Sequence, residues 1–240
     1  MLKAGCRWQD CPADYGPSTT IYNRWSHRGL WARIFATLAA RVELPGDLSI
    51  DSTAVRAHRP ILGEKGAHGG KGGRKFRPSV ARQVIAQPSP RGGRSRGGPT
   101  TKIHALTEAC GRAFAFILGP GNGADISAAP ALLDKMPPPT RLLAPSHGLR
   151  ANHCRATDKG CDANSLRERL AASKTEAVIP STRSQNTQVP YDAVACTARN
   201  LIERAFCRLK DWRRIATRYD KLAVNFESTI AIAAIIPWWT

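Results

Sequence analysis

Acidic residues are scarce in this sequence: 18 Asp and Glu stand against 36 Lys and Arg, so the 240-residue chain carries a formal charge of +18. A charge so far from zero indicates a polyanionic partner, with nucleic acid as the first candidate, and says little about the fold. It does not separate an enzyme from a non-enzymatic basic protein, such as a ribosomal one. The length suits one sizeable core, so we expect one main domain.

The sequence also lacks a Cys-x-x-Cys pair, although it contains seven cysteines. An odd number without such a pair disfavours both a disulfide framework and a standard zinc module. Cys154, Cys161 and His153 match no common metal-site spacing, so free buried thiols are the better interpretation. There is no signal peptide at the start, and residues 230–239 are too few, and too interrupted by Pro237, to span a bilayer. We therefore expect a cytoplasmic protein without a membrane partner.

Apolar periodicity is missing between Pro60 and Pro99. From Gly63 to Gly98 there are ten glycines, nine Lys or Arg, and Glu64 as the single acid. Such a segment cannot bury enough surface to offset the entropy of ordering it, so we predict a mobile basic loop. Its expected ligand is a phosphate backbone, and the alternative is a linker with no role.

Outside that loop, the apolar patterns predict alternating strands and helices. A short strand ends at Asp51, and a hairpin turns at Cys110-Gly111. Asp125 is predicted to cap the helix that follows it. This order of elements indicates a mixed α/β domain. The other predicted elements are two helices after a cap at Ser18 or Thr19, separated at Gly29, hairpin strands over 101–106 and 113–118, strands over 141–144 and 176–180, a polar helix over 165–173 and an apolar closing helix over 226–239.

The strongest single pattern lies between Arg199 and Asp220. Its apolar residues recur every three or four positions, which predicts an amphipathic helix with one stripe against a core. Glu203 lies beside that stripe in a column with Arg199, Lys210 and Arg214. Six basic residues from Arg199 to Arg214 exceed what the two acids there can neutralise, so we expect the surplus to face an anion. A solvated helix with a simple Glu–Arg pair is the alternative. The predicted stripe consists of Ile202, Phe206, Leu209, Trp212 and Ala216.

The order Arg199, three residues, Glu203, six residues, Lys210 resembles the end of the signature of bacterial insertion-sequence DDE transposases. The signature usually has a Tyr where this chain has Cys196. Other stretches are similar to the insertion sequence five group of that family, namely 51–58, 93–104 and 209–221.

This resemblance implies a ribonuclease-H-like mixed sheet flanked by helices, with the basic loop inserted after the first strand. It implies that Asp51, Asp158 and Glu203 are the catalytic carboxylates and that they hold two Mg²⁺ or Mn²⁺ ions. The implied activity is metal-dependent cleavage at insertion-sequence ends, followed by strand transfer into target DNA. The implied DNA-binding residues are Arg94, Arg96, Lys102, Arg199, Lys210, Arg213 and Arg214.

The partner that the resemblance implies is double-stranded DNA, both the terminal repeats of the element and the target, bound by a homo-oligomer in the bacterial nucleoid. We divide the chain into a helical segment, 1–46, which forms part of a DNA-binding region, and a catalytic domain, 47–240, which contains the mobile loop 60–99. Because residues 5–17 resemble a segment from inside the family's N-terminal region, we expect a truncated copy.

Departures from the family pattern favour an alternative, a decayed copy that binds DNA but is catalytically impaired. In the family, the strand before the second carboxylate runs directly into it, whereas here Pro145–Thr157 precedes Asp158. Cys161 and Cys196 stand in positions where the family has tyrosines. A related nuclease that cuts DNA without joining strands is a further alternative.

Overall fold

The computed structural model describes residues 1–26, 29–42, 46–58, 93–95, 98–108, 110–144, 164–180, 192, 194–195 and 200–239. Several predictions concern residues outside these ranges. The residues concerned are most of the basic loop 60–99, the segment 145–157, Asp158, Arg96, Arg199 and the cysteines 154, 161 and 196.

A seven-stranded mixed sheet forms the centre of the fold. The long strand β1 pairs with β3 in antiparallel register, and β3 pairs with β4 as the predicted hairpin. On its other side β1 pairs in parallel with β5, which pairs in parallel with β6. The strands are β1 (Asp47–Ala57), β2 (Gly93–Ser95), β3 (Gly98–Glu108), β4 (Ala113–Pro120), β5 (Arg141–Leu143), β6 (Glu176–Val178) and β7 (Thr217–Arg218).

Two short strands pair with the ends of the central strands. β2 pairs with the first residues of β3, and β7 pairs in parallel with the last residues of β1. The order β4-β3-β1-β5-β6, with three antiparallel strands followed by two parallel ones, is that of a ribonuclease-H-like core. The predicted fold class is therefore confirmed.

Helices cover both faces of the sheet. They are α1 (Ser18–Trp25), α2 (Leu30–Ala39), α3 (Ala129–Leu133), α4 (Asn164–Ala172), α5 (Asn200–Lys210), α6 (Arg213–Ala216) and α7 (Ala223–Trp239). We call the side covered by α2, α5 and α7 the α5 face, and the side covered by α3 and α4 the α3 face.

Alternate residues of a strand point to opposite faces, and the buried residues of β1 and β3 follow this rule. On the α5 face, Val55 of β1 and Ile103 of β3 pack with Phe206 of α5 and Phe226 of α7. On the α3 face, the cluster consists of Leu48, Ile50, Leu106, Phe114, Ala115, Ala129, Leu132, Leu142, Ala144, Leu166, Leu170 and Ile179. Each face of β1 therefore has its own hydrophobic layer.

The N-terminal helices separate at Gly29 as predicted, where the backbone has a φ of 70°. The predicted cap is wrong: α1 begins at Ser18 after Pro17, with no side-chain hydrogen bond to its first turn. α2 packs on α7, and its Phe35 ring lies 5.2 Å from that of Phe116, centroid to centroid. α2 therefore contributes to the hydrophobic cluster on the α5 face. The division of the chain into two parts at residue 46 stays a prediction.

The amphipathic helix predicted between Arg199 and Asp220 is wrong beyond Lys210, where α5 ends. The backbone amides of Arg213 and Arg214 donate to the carbonyl oxygens of Lys3 (3.0 Å) and Leu2 (3.4 Å) instead of to the preceding turn. These amides belong to the first turn of α6, which needs acceptors from outside the helix. The N-terminal residues supply them.

The break also changes the predicted apolar stripe. Ile202, Phe206 and Leu209 are buried, as predicted. Ala216 is exposed, and Ile215 is buried in its place. The closing helix α7 is confirmed and includes Pro237, and no helix among the described residues is long and apolar enough to cross a membrane.

Candidate catalytic site

Asp51 lies in the middle of β1, whereas the sequence predicted it at the end of a strand. β1 continues to Ala57 because it stays paired with β3 as far as Arg56. Asp51 is paired with Ala105 of β3 and lies four residues before Val55 on β1. Ala105 and Val55 both belong to the cluster on the α5 face, and every second residue of a strand points to the same face. The Asp51 side chain therefore belongs to the α5 face. Its Oδ1 accepts a hydrogen bond of 2.7 Å from the backbone amide of Ser52.

Glu203 lies in the first turn of the described part of α5 and is exposed. It flanks the buried residues Ile202 and Phe206, and this buried side packs on β1 and β3. The structure thus brings two of the three predicted carboxylates, Asp51 and Glu203, to the same face of the sheet.

The third predicted carboxylate, Asp158, is not among the described residues. β5, the described strand that leads towards it, runs parallel to β1 with Leu143 level with Ser49. An ion pair between Arg141 and Asp47 joins the first residues of the two strands. Within the described part of the chain, no group of three or more His, Cys, Asp or Glu is placed to hold a metal ion.

The predicted DNA-binding residues divide into four groups. Lys210 at the end of α5 is partly exposed, and Arg213 at the start of α6 is exposed. Arg94 lies on β2, level with Pro99 of β3, and the placement of its side chain is not described. Arg96 and Arg199 lie outside the described residues.

The remaining two, Lys102 and Arg214, differ from the prediction because their charges are engaged inside the fold. The Lys102 side chain is 14% exposed, and its Nζ donates to Asp125 Oδ1 (2.8 Å) and to the carbonyl oxygen of Gly123 (2.7 Å). The Arg214 side chain is 8% exposed and forms an ion pair with Asp220 at 3.3 Å. Each of these two charges is therefore paired with a carboxylate inside the fold.

Arg214 joins the end of the signature to the N-terminal segment. Its Nη2 donates to the carbonyl oxygen of Cys6 (2.9 Å), and its guanidinium lies 5.2 Å from the centre of the Trp8 ring. Burial raises the pKa of Asp220 despite the neighbouring charges of Arg214 and Arg218. Arg218 is also buried, and its hydrogen bonds include one of 2.9 Å to Thr101 of β3. The basic residues of this stretch therefore serve packing as well as charge.

A polar cluster on the α3 face was missed at the sequence level. Asp125, which was predicted to cap a helix, instead accepts hydrogen bonds from Ser52 Oγ (2.7 Å) and Lys102 Nζ. His104 Nδ1 lies 3.6 Å from the same carboxylate oxygen. The glycine at position 119 of β4 is a sequence feature that could have indicated this cluster, because a Cβ there would lie 2.5 Å from His104 Nε2. We call Ser52, Lys102, His104 and Asp125 the Asp125 cluster.

Burial and hydrogen bonding set the charges in this cluster. Burial lowers the pKa of His104 to about 4, and Lys102 adds to this effect while Asp125 opposes it. Burial alone would raise the pKa of Asp125, but the hydrogen bonds from Lys102 and Ser52 outweigh it and hold that pKa below its usual value. At neutral pH the cluster therefore contains one ion pair and a neutral imidazole.

Comparison with known proteins agrees with this architecture. The model of a family described as Transposase DDE domain matches residues 44–236, which is most of the chain. An uncharacterised protein of Sinorhizobium fredii is 39% identical over 74 residues, which are 30% of this chain and 58% of that protein. A protein of Brucella ovis, provisionally named as the transposase for insertion sequence element IS6501, is 29% identical over 140 residues, 58% of this chain and 98% of that protein.

The chain thus spans little more than half the length of the Sinorhizobium relative and nearly all of the Brucella one. Among solved structures, a pre-cleavage Mos1 transpososome matches 88% of this chain and 61% of its own chain, with 13% identity and a TM-score of 0.31. A TM-score this low reflects only partial overlap of the two folds.

Proposed function

Because the chain belongs to the Transposase DDE domain family, we propose that it is a DNA transposase that cuts the ends of an insertion sequence and joins them to target DNA. One observation carries this proposal: Asp51 of β1 and Glu203 of α5 lie on packed elements at the same face of the sheet. Carboxylates brought together from distant parts of a chain are suited to bind hard divalent cations.

The cations that suit these ligands are Mg²⁺ and Mn²⁺, because both prefer oxygen ligands. In this proposal Asp51, Asp158 and Glu203 hold two such ions. A bound pair would supply charge stabilisation to the entering and leaving oxygens of a phosphoryl displacement. The role of the protein is to hold the carboxylates in place. β1 is paired on both sides, and α5 is anchored by the buried side chains of Ile202 and Phe206.

The proposed substrate is double-stranded DNA, comprising the terminal repeats and the target, held by a homo-oligomer. Lys210 and Arg213 lie near the end of α5, and Glu203 lies in its first described turn. Phosphate contacts from such basic side chains would orient a backbone beside the carboxylates without reading its sequence. The formal charge of +18 supports binding to a polyanion of this kind.

The first test is Glu203→Gln. It should abolish Mg²⁺-dependent cleavage of terminal-repeat DNA, because the amide keeps the size of the side chain but lacks the charge that holds a cation. DNA affinity should stay within a few-fold of the parent, since the phosphate contacts are unchanged. Glu168→Gln is the matched control, because Glu168 is an exposed helical glutamate on α4, which covers the other face.

Nicking and joining of labelled DNA, with and without Mg²⁺, measure the two activities separately. Unchanged cleavage by purified Glu203→Gln protein would contradict the assigned role of Glu203. Cutting by the parent without any joined product would favour the nuclease alternative instead.

A decayed copy that only binds DNA is the second candidate, and the register of β5 favours it. Leu143 is level with Ser49, so two further residues of a continued β5 would reach the level of Asp51. Asp158 comes fifteen residues after Leu143 in the sequence. The 13 residues of Pro145–Thr157 thus separate the strand from the carboxylate that it should deliver.

Deleting Pro145–Thr157 tests this candidate. The deletion makes Asp158 the second residue after Leu143, so a continued β5 would bring it level with Asp51 and onto the same face. If the insertion displaces this carboxylate by about 1 Å, the deletion should raise Mg²⁺-dependent nicking on the order of 100-fold.

The matched control deletes Pro145–Ala156 and leaves Thr157 in place. Asp158 then moves one position along the strand and turns to the opposite face, so nicking should not rise. If the Pro145–Thr157 deletion nicks no faster than the parent, the decayed-copy alternative is contradicted, and the segment is tolerated or useful.

A further inference from the structure

We propose that Asp125 is a positioning residue for the Asp51 carboxylate, and that it acts through Ser52 from the opposite face of the sheet. This inference rests on the proposed function, because it assigns Asp51 to the metal site. It gives a role to a carboxylate outside the signature and to Lys102, whose charge is paired with Asp125 inside the fold.

The first step is the contact between Asp125 and β1. Asp125 Oδ1 accepts a hydrogen bond of 2.7 Å from Ser52 Oγ and one of 2.8 Å from Lys102 Nζ. One carboxylate oxygen therefore joins the loop after β4 to two neighbouring strands, β1 and β3. Ser52 is level with His104 on β3, so all members of the Asp125 cluster lie on the α3 face.

The second step crosses the sheet through the backbone. Ser52 follows Asp51 directly, and its amide donates a hydrogen bond of 2.7 Å to Asp51 Oδ1. The Ser52 hydroxyl points to the α3 face while the Asp51 carboxylate belongs to the α5 face. A contact that fixes the Ser52 side chain thus also fixes the peptide group that orients the Asp51 carboxylate.

The third step is the rigidity of the Asp125 loop. Lys102 Nζ also donates to the carbonyl oxygen of Gly123 (2.7 Å), and the Gly121 amide donates to the carbonyl oxygen of Thr100 (3.1 Å). A Cβ on Gly121 would lie 1.8 Å from Thr100 Oγ1, so the loop lies directly against β3. Because the loop is held at several points, it keeps Asp125 in a fixed position, and Asp125 in turn restrains Ser52. Groups that hydrogen-bond to metal ligands orient those ligands in the same way.

The test measures Mn²⁺ binding to the full chain by calorimetry, without DNA and independently of activity. Ser52→Ala removes the hydroxyl and should weaken Mn²⁺ binding on the order of 10-fold. Ser52→Thr keeps a hydroxyl and should restore most of the affinity. Thr107→Val is the matched control, because Thr107 Oγ1 is buried on β3 without a hydrogen-bond partner among the described residues, so its loss should leave Mn²⁺ affinity unchanged.

A double-mutant cycle tests whether Asp125 and Ser52 act together. If they do, Asp125→Ala combined with Ser52→Ala should weaken Mn²⁺ binding no more than Asp125→Ala alone. Independent, additive losses would contradict the proposal. If Asp125→Ala does not fold, the two Ser52 variants decide the question, since neither removes a charge.

Failure of this inference differs from failure of the proposed function. Mn²⁺ binding that Asp51→Asn weakens and Ser52→Ala leaves unchanged would overturn the positioning role and leave the metal site standing. Mn²⁺ binding that Asp51→Asn does not weaken would overturn the metal site, and the positioning role with it. A purely structural Asp125 cluster would lower the Tm of Ser52→Ala without changing its Mn²⁺ affinity below that temperature.

Discussion

Stability should fall as the pH drops from 7 towards 4, and His104 should cause a measurable part of this loss. The His104 side chain is 4% exposed, and burial lowers its pKa to about 4. In the unfolded chain a histidine titrates near 6.5. Between these two values the unfolded state binds a proton that the folded state does not, so the free energy of unfolding rises with pH.

The magnitude follows from the two pKa values. A lowering from 6.5 to about 4 corresponds to about 3 kcal/mol at pH 4, relative to a pH well above 6.5. Burial raises the pKa values of Asp220 and Glu227, so these groups lose an unfavourable charge as the pH falls and act in the opposite direction. The contribution of His104 is therefore measured as a difference between proteins.

Urea unfolding of the parent and of His104→Gln between pH 4 and pH 7.5 gives that difference. The parent should lose about 3 kcal/mol more than the variant over this range, because the variant has no imidazole to protonate on unfolding. His58→Gln is the control, since His58 is an exposed histidine at the end of β1. Parallel stability curves for the parent and His104→Gln would refute the reasoning, because burial would then not hold the imidazole neutral.

Two further predictions concern the packing around the site. Arg214→Met should lower the free energy of unfolding by about 3 kcal/mol in urea denaturation, because it leaves buried Asp220 without its ion-pair partner. Combined with Asp220→Asn it should lose less than the sum of the single changes, and additive losses would contradict the pairing. Gly119→Ala should cost about 1–3 kcal/mol, because its Cβ would lie 2.5 Å from His104 Nε2. In a His104→Ala background that loss should shrink, so equal losses in both backgrounds would argue against this clash.

The sheet could be predicted from the sequence because local pattern and tertiary pairing agree there. On both sides of the Cys110-Gly111 turn, the residues either alternate between apolar and polar or are continuously apolar. The hairpin of β3 and β4 lies where this pattern predicted it. The length of β1 could not be predicted, since Ser52 to Ala57 contains polar residues. These residues are held in the strand by pairing with β3, whose partners lie far away in the sequence.

The break after α5 was beyond sequence reasoning for a similar reason. The apolar period continues past Lys210, so the local pattern favours one helix. The acceptors that allow Arg213 and Arg214 to begin a new helix come from Leu2 and Lys3, at the other end of the chain. Periodicity contains no information about such a contact.

Charge pattern alone also could not sort the basic residues. Lys102, Arg213 and Arg214 all lie in stretches that resemble the family, and a surplus of positive charge favours DNA contact for each. Burial separates them: Arg213 is exposed, whereas Lys102 and Arg214 pair with acids inside the fold. A basic signature can therefore combine side chains that face a ligand with side chains that hold the frame together.

The adjacent residues Asp51 and Ser52 connect the proposed metal-binding face to the Asp125 cluster on the other face of the sheet. In the sequence, the Asp51 carboxylate is followed directly by the hydroxyls of Ser52 and Thr53, which suggests that all three share one surface. In a strand they alternate, so Asp51 belongs to the α5 face and Ser52 to the face of Asp125. In the proposed arrangement, a change at Asp125 acts on the Asp51 carboxylate through the backbone of β1, so its effect on Mn²⁺ affinity should be smaller than that of Asp51→Asn. The reverse order would mean that Asp125 itself lies closer to the cation than the alternation of β1 allows.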